Sequence, residues 1–341
     1  MIETSRSTRS QPSITHAATY LLPIRKSRPE DLSELGAYLE ALSQQIEVIV
    51  VDGSPEDFFR SHAAFWPSCT HVAPAARFKA ANGKVWGVLT GLAIASHDKV
   101  VIADEDVRYD AGSLERVLSL LDEGDIVRPQ NYFEPSPWHA TWDTGRTLLN
   151  RAAGGDWPGT LAVRRSLIDR TQCYDGDVLF ENLELVRTVR AAGGREAVPL
   201  DLFVRRLPST TPHFLSQRVR QAYDEFARPR RLALQLSILP LAALVLVTRA
   251  GLFLPAIAAI CGIAEYGRRR GNGTAVFPAT ASLLAPLWLA ERALCSWLAV
   301  LCRLRDGGVR YHGTVIAKAA TPERKLRQRF QALRSNDERS L

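Results

Sequence analysis

Apolar runs and helical periodicities alternate along the first part of the chain. Residues 16–25 and Glu47–Asp52 have the apolar character of buried strands, and the leucines from Leu32 to Leu42 recur at helical spacing. The pattern then predicts a short strand at 71–73, a helix at 84–96 and a strand that ends at Asp104. Strands and helices that alternate at this length are typical of an α/β fold, in which helices cover both faces of a mostly parallel sheet.

The alternation continues less regularly up to residue 230. It predicts a helix at 110–123, a strand at 125–130, a helix at 182–192 and a strand at 197–205. The run Gly154–Gly159, with Pro135 and Pro137 before it, indicates loops. Residues 1–15 are rich in Ser, Thr and Arg and lack an apolar core, so we expect a disordered leader before a domain of residues 16–230.

From Leu232 the composition becomes strongly apolar, and we expect residues 231–302 to associate with a membrane. Leu232–Val247 carries no charge, Gly251–Ala264 is a second apolar stretch, and arginines flank the pair on both sides. Because basic flanks stay in the cytoplasm, both ends are predicted there, as in a helical hairpin. Each limb is shorter than the roughly 20 residues of an ordinary span, which leaves a shallow or re-entrant hairpin open. Buried core helices of a soluble protein are the third alternative.

The third apolar stretch, Ala275–Cys302, is long enough to cross a membrane once. It contains Glu291 and Arg292, and one crossing would put its basic flanks on opposite sides. We therefore expect helices that lie in the membrane interface and are broken at Pro278 and Pro286.

Charge is concentrated at the carboxyl terminus. Residues 303–341 contain ten Lys or Arg and four Asp or Glu, a net +6, whereas the whole chain of 341 residues carries +7. This segment follows apolar stretches and lacks interleaved aromatics, which favours a basic cytoplasmic tail on an anionic membrane over a nucleic-acid partner. Five cysteines without a Cys-x-x-Cys pair indicate neither a zinc site nor a disulfide framework.

Candidate chemistry begins where the strand before Asp104 ends. Asp104-Glu105-Asp106 places two carboxylates at the carboxyl edge of the predicted sheet, where open α/β folds bind ligands. Hard oxygen ligands there suit a divalent cation that in turn holds phosphate oxygens. Asp52 ends a neighbouring strand and is expected at the same edge. His62, His71, His139 and His213 lack metal-ligand spacing and are expected to be ordinary surface or loop residues.

The order of several motifs over about residues 16–230 resembles glycosyltransferase family 2 and its ceramide-glucosyltransferase-like relatives of family 21. The resemblance implies a GT-A fold, a nucleotide-diphosphate sugar donor with UDP as first choice, a divalent metal (Mn²⁺ or Mg²⁺) and inversion at the anomeric carbon. The motifs that carry it are Tyr20–Ile24 with Val48–Ser54, Asn82–Val85 with Ala103–Arg108, Gly159–Arg165 with Glu181–Leu185 and Arg190–Gly193, and Gln217–Gln221.

The resemblance also implies roles for individual residues. Asp106 would be the direct metal ligand and Asp104 a metal or ribose contact. Asp52 would accept hydrogen bonds from the base or ribose of the donor, and Lys84 would face its phosphates. The remaining donor-binding candidates precede the apolar stretches, and the two arginines among them would clamp the diphosphate: Gln217, Arg218 and Arg220.

Two positions depart from the family pattern. Asn182 stands where relatives carry the Asp that deprotonates the acceptor, and an amide cannot accept that proton. Glu181 is the first substitute, with Asp177 or Glu184 as alternatives. Gln221 replaces a Trp beside the acceptor.

Three functions stay open. The leading one is an inverting glycosyltransferase at the cytoplasmic face of the cell membrane, with a lipid or lipid-linked acceptor. The second is a non-catalytic donor-binding or assembly subunit that kept the fold and lost the base. The third, nucleotidyl transfer, would need a glycine-rich loop after the first strand, and residues 22–27 contain no glycine.

Overall fold

The computed structural model describes residues 16–171, 174–311 and 313–337, with the side chains of 334–337 left out. The leader proposed for residues 1–15 lies outside the described residues.

In chain order the strands are β1 (Ala18–Ile24), β2 (Glu47–Asp52), β3 (Thr70–Val72), β4 (Lys99–Ala103), β5 (Val107–Arg108), β6 (Ile126–Val127), β7 (Gln130–Phe133), β8 (Thr160–Arg164), β9 (Glu196–Ala197), β10 (Phe203–Arg206), β11 (Val309–Tyr311) and β12 (Thr314–Ile316). The centre of the molecule is a seven-stranded sheet in the order β3-β2-β1-β4-β8-β6-β9. Its first four strands are parallel, and β8 runs antiparallel to both β4 and β6. The remaining strands form two smaller sheets, β5-β10-β7 and β11-β12.

Both faces of the large sheet are buried, which confirms the predicted α/β fold. Tyr20 and Leu22 of β1 point into one apolar cluster, and Leu21 between them points into the other. Successive side chains of a strand face opposite sides of the sheet, so a strand covered on both faces is apolar throughout. The helices are α1 (Ser33–Ser43), α2 (Glu56–His62), α3 (Gly83–Ile94), α4 (Ala111–Glu123), α5 (Trp138–Ala152), α6 (Arg165–Arg170), α7 (Glu181–Ala191), α8 (Thr211–Ser216), α9 (Arg218–Tyr223), α10 (Pro229–Arg249), α11 (Phe253–Arg269), α12 (Ala279–Asp306) and α13 (Glu323–Asp337).

Helix α5 has no counterpart in the sequence prediction. Its buried face contains Asp143, Thr147 and Asn150, so it lacks the apolar stripe from which a helix is recognised. Helices α11 and α12 cover this face. The approach of α11 is close because Gly267 has no Cβ, and a Cβ there would lie 1.9 Å from the carbonyl oxygen of Leu148.

The apolar segment forms three helices. Two stretches are long and apolar enough to cross a membrane by length and composition: Pro229–Ala275 and Ala279–Asp306. Around the break between α10 and α11 the apolar side chains face outward, with Val247 87% and Leu254 75% exposed. Both helices pack against α12.

Helix α12 differs from its prediction in two ways. Pro278 precedes its first residue, but Pro286 lies inside it without ending it. Glu291 and Arg292 point into the protein, where Glu291 pairs with Arg218 and Arg292 is 2% exposed. The charged pair therefore faces the α/β domain.

The segment 303–337 is part of the folded domain, in contrast to the predicted basic tail. Strands β11 and β12 form a hairpin, and α13 packs on α7. The amides of Leu179 and Phe180 donate to the carbonyl oxygens of Lys318 and Ala319, at 2.9 and 2.8 Å. The carboxyl-terminal segment thus fixes the backbone just before Glu181.

Candidate active site

Asp104 and Asp106 lie at the carboxyl end of β4, as predicted. The amide of Asp104 donates to the carbonyl oxygen of Gly159 at 2.8 Å, and the amide of Leu207 donates to that of Asp106 at 2.7 Å. A Cβ at position 159 would lie 2.7 Å from Oδ2 of Asp104, so a larger residue than Gly159 would displace this carboxylate. Neighbouring strands therefore hold both carboxylates in place.

Lys84 joins Asp104 to Glu181. It lies in the first turn of α3, whose amino terminus is capped by the Asn82 side chain. Its Nζ is 2.6 Å from Oδ1 of Asp104 and 2.9 Å from Oε1 of Glu181. Burial alone would lower the pKa of Lys84, but the two carboxylates outweigh it and raise the pKa above its ordinary value.

Arg206 is a site residue that the sequence analysis missed. It ends β10, and its guanidinium contacts Oδ2 of Asp106 at 2.9 Å and Oδ2 of Asp104 at 3.4 Å. The only signal in the sequence was a basic pair at the end of a predicted strand, which is also common on a solvated edge. We name Lys84, Asp104, Asp106, Glu181 and Arg206 the charged cluster.

One carboxylate oxygen of the charged cluster has no hydrogen-bond partner among the described residues. Oδ1 of Asp106 is buried and has no hydrogen-bond partner among the described residues, while Oδ2 bonds to Arg206. Burial raises the pKa of Asp106, whereas Lys84 and Arg206 lower that of Asp104 against the effect of burial. No group of three or more His, Cys, Asp or Glu placed to hold a metal occurs in the described part of the chain. Oδ1 of Asp106 fits as an oxygen ligand of a divalent cation, whereas both oxygens of Asp104 contact Lys84 or Arg206.

Three cavities border the charged cluster, and the two larger ones are described here. The first, here the sheet cavity, has a volume of about 290 Å³ and lies along the strand ends, where Pro23, Gly53, Lys84 and Asp106 contribute to its wall. The second, the helix cavity, has about 170 Å³ and is lined from α5, α7, α9, α10 and α12. Asp104 and Arg206 line both. Asp104 and Arg206 of the cluster therefore lie between two neighbouring cavities.

Asp52 lies at the predicted sheet edge, but its carboxylate is fully buried and already bonded. His62 Nδ1 lies 2.7 Å and His71 Nε2 3.3 Å from Oδ2, and the amide of Ser54 donates to Oδ1 at 2.9 Å. Burial alone would raise the pKa of Asp52, but these hydrogen bonds lower it far below its ordinary value. His62 and His71 are thus partners of Asp52, which corrects their prediction as ordinary surface or loop residues. Gly53, next to Asp52, lines the sheet cavity.

Arg218 is buried away from both cavities, so it does not occupy the predicted diphosphate position. Its guanidinium contacts Asp143 at 2.9 Å and Glu291 at 2.8 Å, which ties α9 to α5 and α12. Arg220 lines the helix cavity, where its Nε donates to Gln217 Oε1 at 2.5 Å. Of the two arginines, Arg220 alone faces a cavity that borders the charged cluster.

The carboxylates considered as bases lie in different surroundings. Glu181 and Asn182 line the helix cavity, and Asn182 Nδ2 donates to the carbonyl oxygen of Pro158 at 3.0 Å. Asp177 is exposed and accepts a hydrogen bond from the amide of Ala81 at 2.9 Å. Glu184 is fully buried and accepts one from the amide of Thr321. Only Glu181 among the three lies in a cavity next to the cluster.

The chain is similar in part to a known family and to solved structures. Residues 30–171 match the model of the family described as glycosyl transferase family 2. No match was found among curated protein sequences. A solved mannosyltransferase from Pyrobaculum calidifontis, in complex with GDP-Man and Mn²⁺, shares 18% identity with a TM-score of 0.51, over 88% of this chain and 90% of that chain. Glucosyl-3-phosphoglycerate synthase from Mycobacterium tuberculosis, in complex with phosphoglyceric acid, shares 17% identity with a TM-score of 0.40, over 58% of this chain and 74% of that chain.

At these identities the structural likeness concerns the fold. The chain has a GT-A-like α/β fold, and within it residues 30–171 match glycosyl transferase family 2.

Proposed function

We propose that this protein is a metal-dependent inverting glycosyltransferase with a nucleotide-diphosphate sugar donor, UDP being the first choice, and a lipid or lipid-linked acceptor at the cytoplasmic face of the cell membrane. The observation that carries the proposal is the charged cluster between two adjacent cavities. Such a transfer needs a donor site and an acceptor site that meet where the diphosphate leaves. The sheet cavity would bind the nucleotide, and the helix cavity the acceptor.

The cluster suits a leaving diphosphate. Negative charge grows on the phosphate oxygens as the sugar departs, and fixed cations or a metal stabilise that charge. Asp104 and Asp106 would hold the metal, which would supply Lewis-acid stabilisation of the leaving group. Lys84 and Arg206 contact these carboxylates, so both cations would lie beside the proposed position of the diphosphate. Arg220 would add a planar donor from the acceptor side.

The helix cavity connects the cluster to the apolar helices. Arg228 and Arg231 line it from the start of α10, and Trp288 and Arg292 line it from α12. An acceptor whose polar end enters this cavity can leave its lipid chain beside α10 and α12. This placement supports a lipid or lipid-linked acceptor over a soluble one.

The direct test is binding and transfer with purified full-length protein. We expect binding of UDP-glucose, UDP-galactose or another UDP-sugar by calorimetry with Mn²⁺ and loss of binding with EDTA. Transfer to lipids extracted from a bacterial membrane would support the proposal. Equal affinity for the UDP-sugar in Mn²⁺ and in EDTA would contradict the metal role. If the protein binds neither UDP-sugars nor GDP-sugars, the donor assignment is wrong.

A non-catalytic donor-binding or assembly subunit is the second candidate. Asn182 favours it, because the amide replaces the acid on which related enzymes rely and is itself bonded to Pro158. Donor binding without turnover by any acceptor would support this alternative.

Membrane attachment is expected to survive high salt. The exposed side chains near the turn between α10 and α11 would contribute roughly 1.5–3 kcal/mol each when buried in lipid, and salt does not weaken this term. Replacing Leu244, Val247 and Leu254 together with serine should move the protein into the soluble fraction after ultracentrifugation. These residues are exposed, so the fold should melt at an unchanged temperature. In 1 M salt the electrostatic screening length is roughly threefold shorter than at 0.1 M. Extraction of the unmodified protein from the membrane under this condition would contradict the prediction.

A further inference from the structure

The carboxylate of Asp224 lines the helix cavity but is not part of the charged cluster. Asp224 follows α9 and begins a short helical turn that leads into α10. Its side chain lines the cavity that also contains Glu181, Asn182 and Arg220. Oδ1 of Asp224 is buried and has no hydrogen-bond partner in the ranges that the structure describes. A buried carboxylate oxygen without a partner is costly, which points to a ligand that supplies the partner.

The other acids of the helix cavity are paired. Glu225 contacts Arg228 at 2.9 Å and Arg231 at 3.3 Å. Glu181 contacts Lys84, and Asp104 contacts both Lys84 and Arg206. Asp224 has no such ion pair within 4 Å among the described residues, although charged groups from three helices and from its own turn face it: Glu181, Arg220, Arg292, Glu225 and Arg228.

The surroundings of Asp224 favour its neutral form. Burial raises its pKa to about 7, with Arg220 and Arg292 acting against this shift and Glu181 and Glu225 adding to it. A base is most effective when its pKa lies near the working pH. The environment of Asp224 is therefore that of a proton acceptor, whereas Glu181 is held beside a lysine.

We propose that Asp224 is the general base that deprotonates the acceptor hydroxyl, in place of the family's acid at position 182. This inference rests on the proposed function. The acceptor proton moves to a carboxylate oxygen of Asp224, and the acceptor oxygen forms a bond to the anomeric carbon. The bond between that carbon and the diphosphate oxygen breaks, and the nucleoside diphosphate leaves with the electron pair. Asn182 and Asp224 line the same cavity, so a base at Asp224 would act on an acceptor bound in that cavity.

The other candidates are less suited. Asp177 is exposed and lines neither cavity, and Glu184 is buried against Thr321. Glu181 lies in the cavity, but its carboxylate holds Lys84 in place at 2.9 Å. We assign Glu181 a positioning role, through Lys84, on the donor side.

The test compares Asp224→Asn, Glu181→Gln and the exposed control Asp201→Asn in full-length protein. UDP-glucose with Mn²⁺ serves as donor, and phosphatidylglycerol vesicles that contain diacylglycerol serve as the hydroxyl acceptor. We expect Asp224→Asn to lower kcat by about 10²–10⁴ with unchanged donor affinity. The rise of kcat between about pH 6 and 8, expected from a base with a pKa near 7, should disappear in this variant. Asp201→Asn should behave as the unmodified protein.

Two further measurements separate a base from a merely structural residue. Asn182→Asp in the Asp224→Asn background should restore part of kcat, because it returns a carboxylate to the cavity. Asp224→Asn should also melt at a higher temperature at pH 8 and at a nearly unchanged one at pH 4. The folded-state pKa lies above the unfolded one of about 4, so the stability of the unmodified protein falls between about pH 4 and 7, where this carboxyl is ionised in the unfolded chain and still protonated in the folded one.

The outcomes distinguish this inference from the proposed function. If the unmodified protein binds no nucleotide sugar, the proposed function is wrong. If it binds donor and releases UDP in the presence of acceptor, but Asp224→Asn does so at an unchanged rate, the assignment of Asp224 is wrong. Donor binding with no acceptor-dependent release of UDP would overturn the assignment as well, in favour of a non-catalytic subunit. Loss of donor binding in Asp224→Asn would make the residue structural.

Discussion

Replacing Asp106 with Asn is expected to abolish the Mn²⁺ dependence of nucleotide-sugar binding and to lower kcat/KM by about 10³ or more. The change keeps the size of the side chain but removes one of two charges available to a divalent cation. A metal on a leaving diphosphate contributes several kcal/mol, and about 4 kcal/mol corresponds to three orders of magnitude in rate. Arg206 can still donate its hydrogen bond to the amide oxygen of the substituted side chain, so its position should change little.

Calorimetry with UDP-glucose, in Mn²⁺ and in EDTA, measures this effect. Asp122→Asn is the matched control, because Asp122 is an exposed residue of α4 that pairs with Lys99 and lines neither cavity. The melting temperature of Asp106→Asn should not fall, since Oδ1 of Asp106 has no partner among the described residues and burial of this carboxylate is unfavourable. Metal-dependent donor binding that persists in Asp106→Asn would contradict the ligand assignment.

Replacing Arg218 with Met is expected to destabilise the fold by about 3–5 kcal/mol while leaving the donor site intact. Its loss would leave Glu291 without its arginine partner and Asp143 with only Arg146, inside the interface of α5, α9 and α12. Removing one partner of a buried ion pair costs this much because the remaining charge stays buried. Urea unfolding, followed by tryptophan fluorescence, measures the change in the free energy of unfolding.

Arg220→Met is the contrasting variant on the same helix. Arg220 lines the helix cavity and has no carboxylate within 4 Å in the part of the chain that the structure describes, so we expect weaker transfer with little loss of stability. A second variant, Arg218→Met with Glu291→Met, should recover part of the stability, because it removes the unpaired charge. Weakened donor binding by folded Arg218→Met, measured well below its unfolding midpoint, would restore the predicted diphosphate role of this residue.

The pH dependence follows from the same ion pairs. Burial alone would raise the pKa of Asp143, but Arg146 and Arg218 hold it far below its ordinary value. A carboxyl with a lowered folded-state pKa contributes stability that is present above its unfolded pKa of about 4 and lost as the pH falls below it. The stability of the unmodified protein should therefore decrease from pH 5 to pH 3. This decrease should be smaller in Arg218→Met.

Parts of the fold with a local signal could be predicted from the sequence. The strands that end at Asp52 and Asp104 are apolar throughout because both faces of the sheet are covered, and this pattern is visible in a single segment. Asp104 and Asp106 lie at the predicted sheet edge for the same reason, since a residue that follows a parallel strand lies at its carboxyl end. Lys84 follows a predicted helix start, and Asn82 caps that helix.

Features that depend on distant partners could not be predicted in this way. Helix α5 buries polar side chains because Arg146 and Arg218 neutralise Asp143, and a pattern of apolar residues does not contain that information. His62 and His71 have no meaningful spacing, yet they bond to Asp52 from two separate elements. The basic segment 303–337 has the composition of a solvated tail, and its backbone pairing with residues 179–180 appears only in the folded chain.

The sequence by itself determined the α/β core and the strand-end aspartates, because periodicity and the direction of a strand act over a few residues. Only the tertiary structure decided which charges meet. Arg206 joins the charged cluster from β10, 100 residues after Asp106 in the chain. Arg218 and Arg220 have nearly the same sequence context, but one is buried between two carboxylates and the other lines a cavity. Electrostatic and hydrogen-bond partners are selected by distance in space, so the folded structure was needed to assign them.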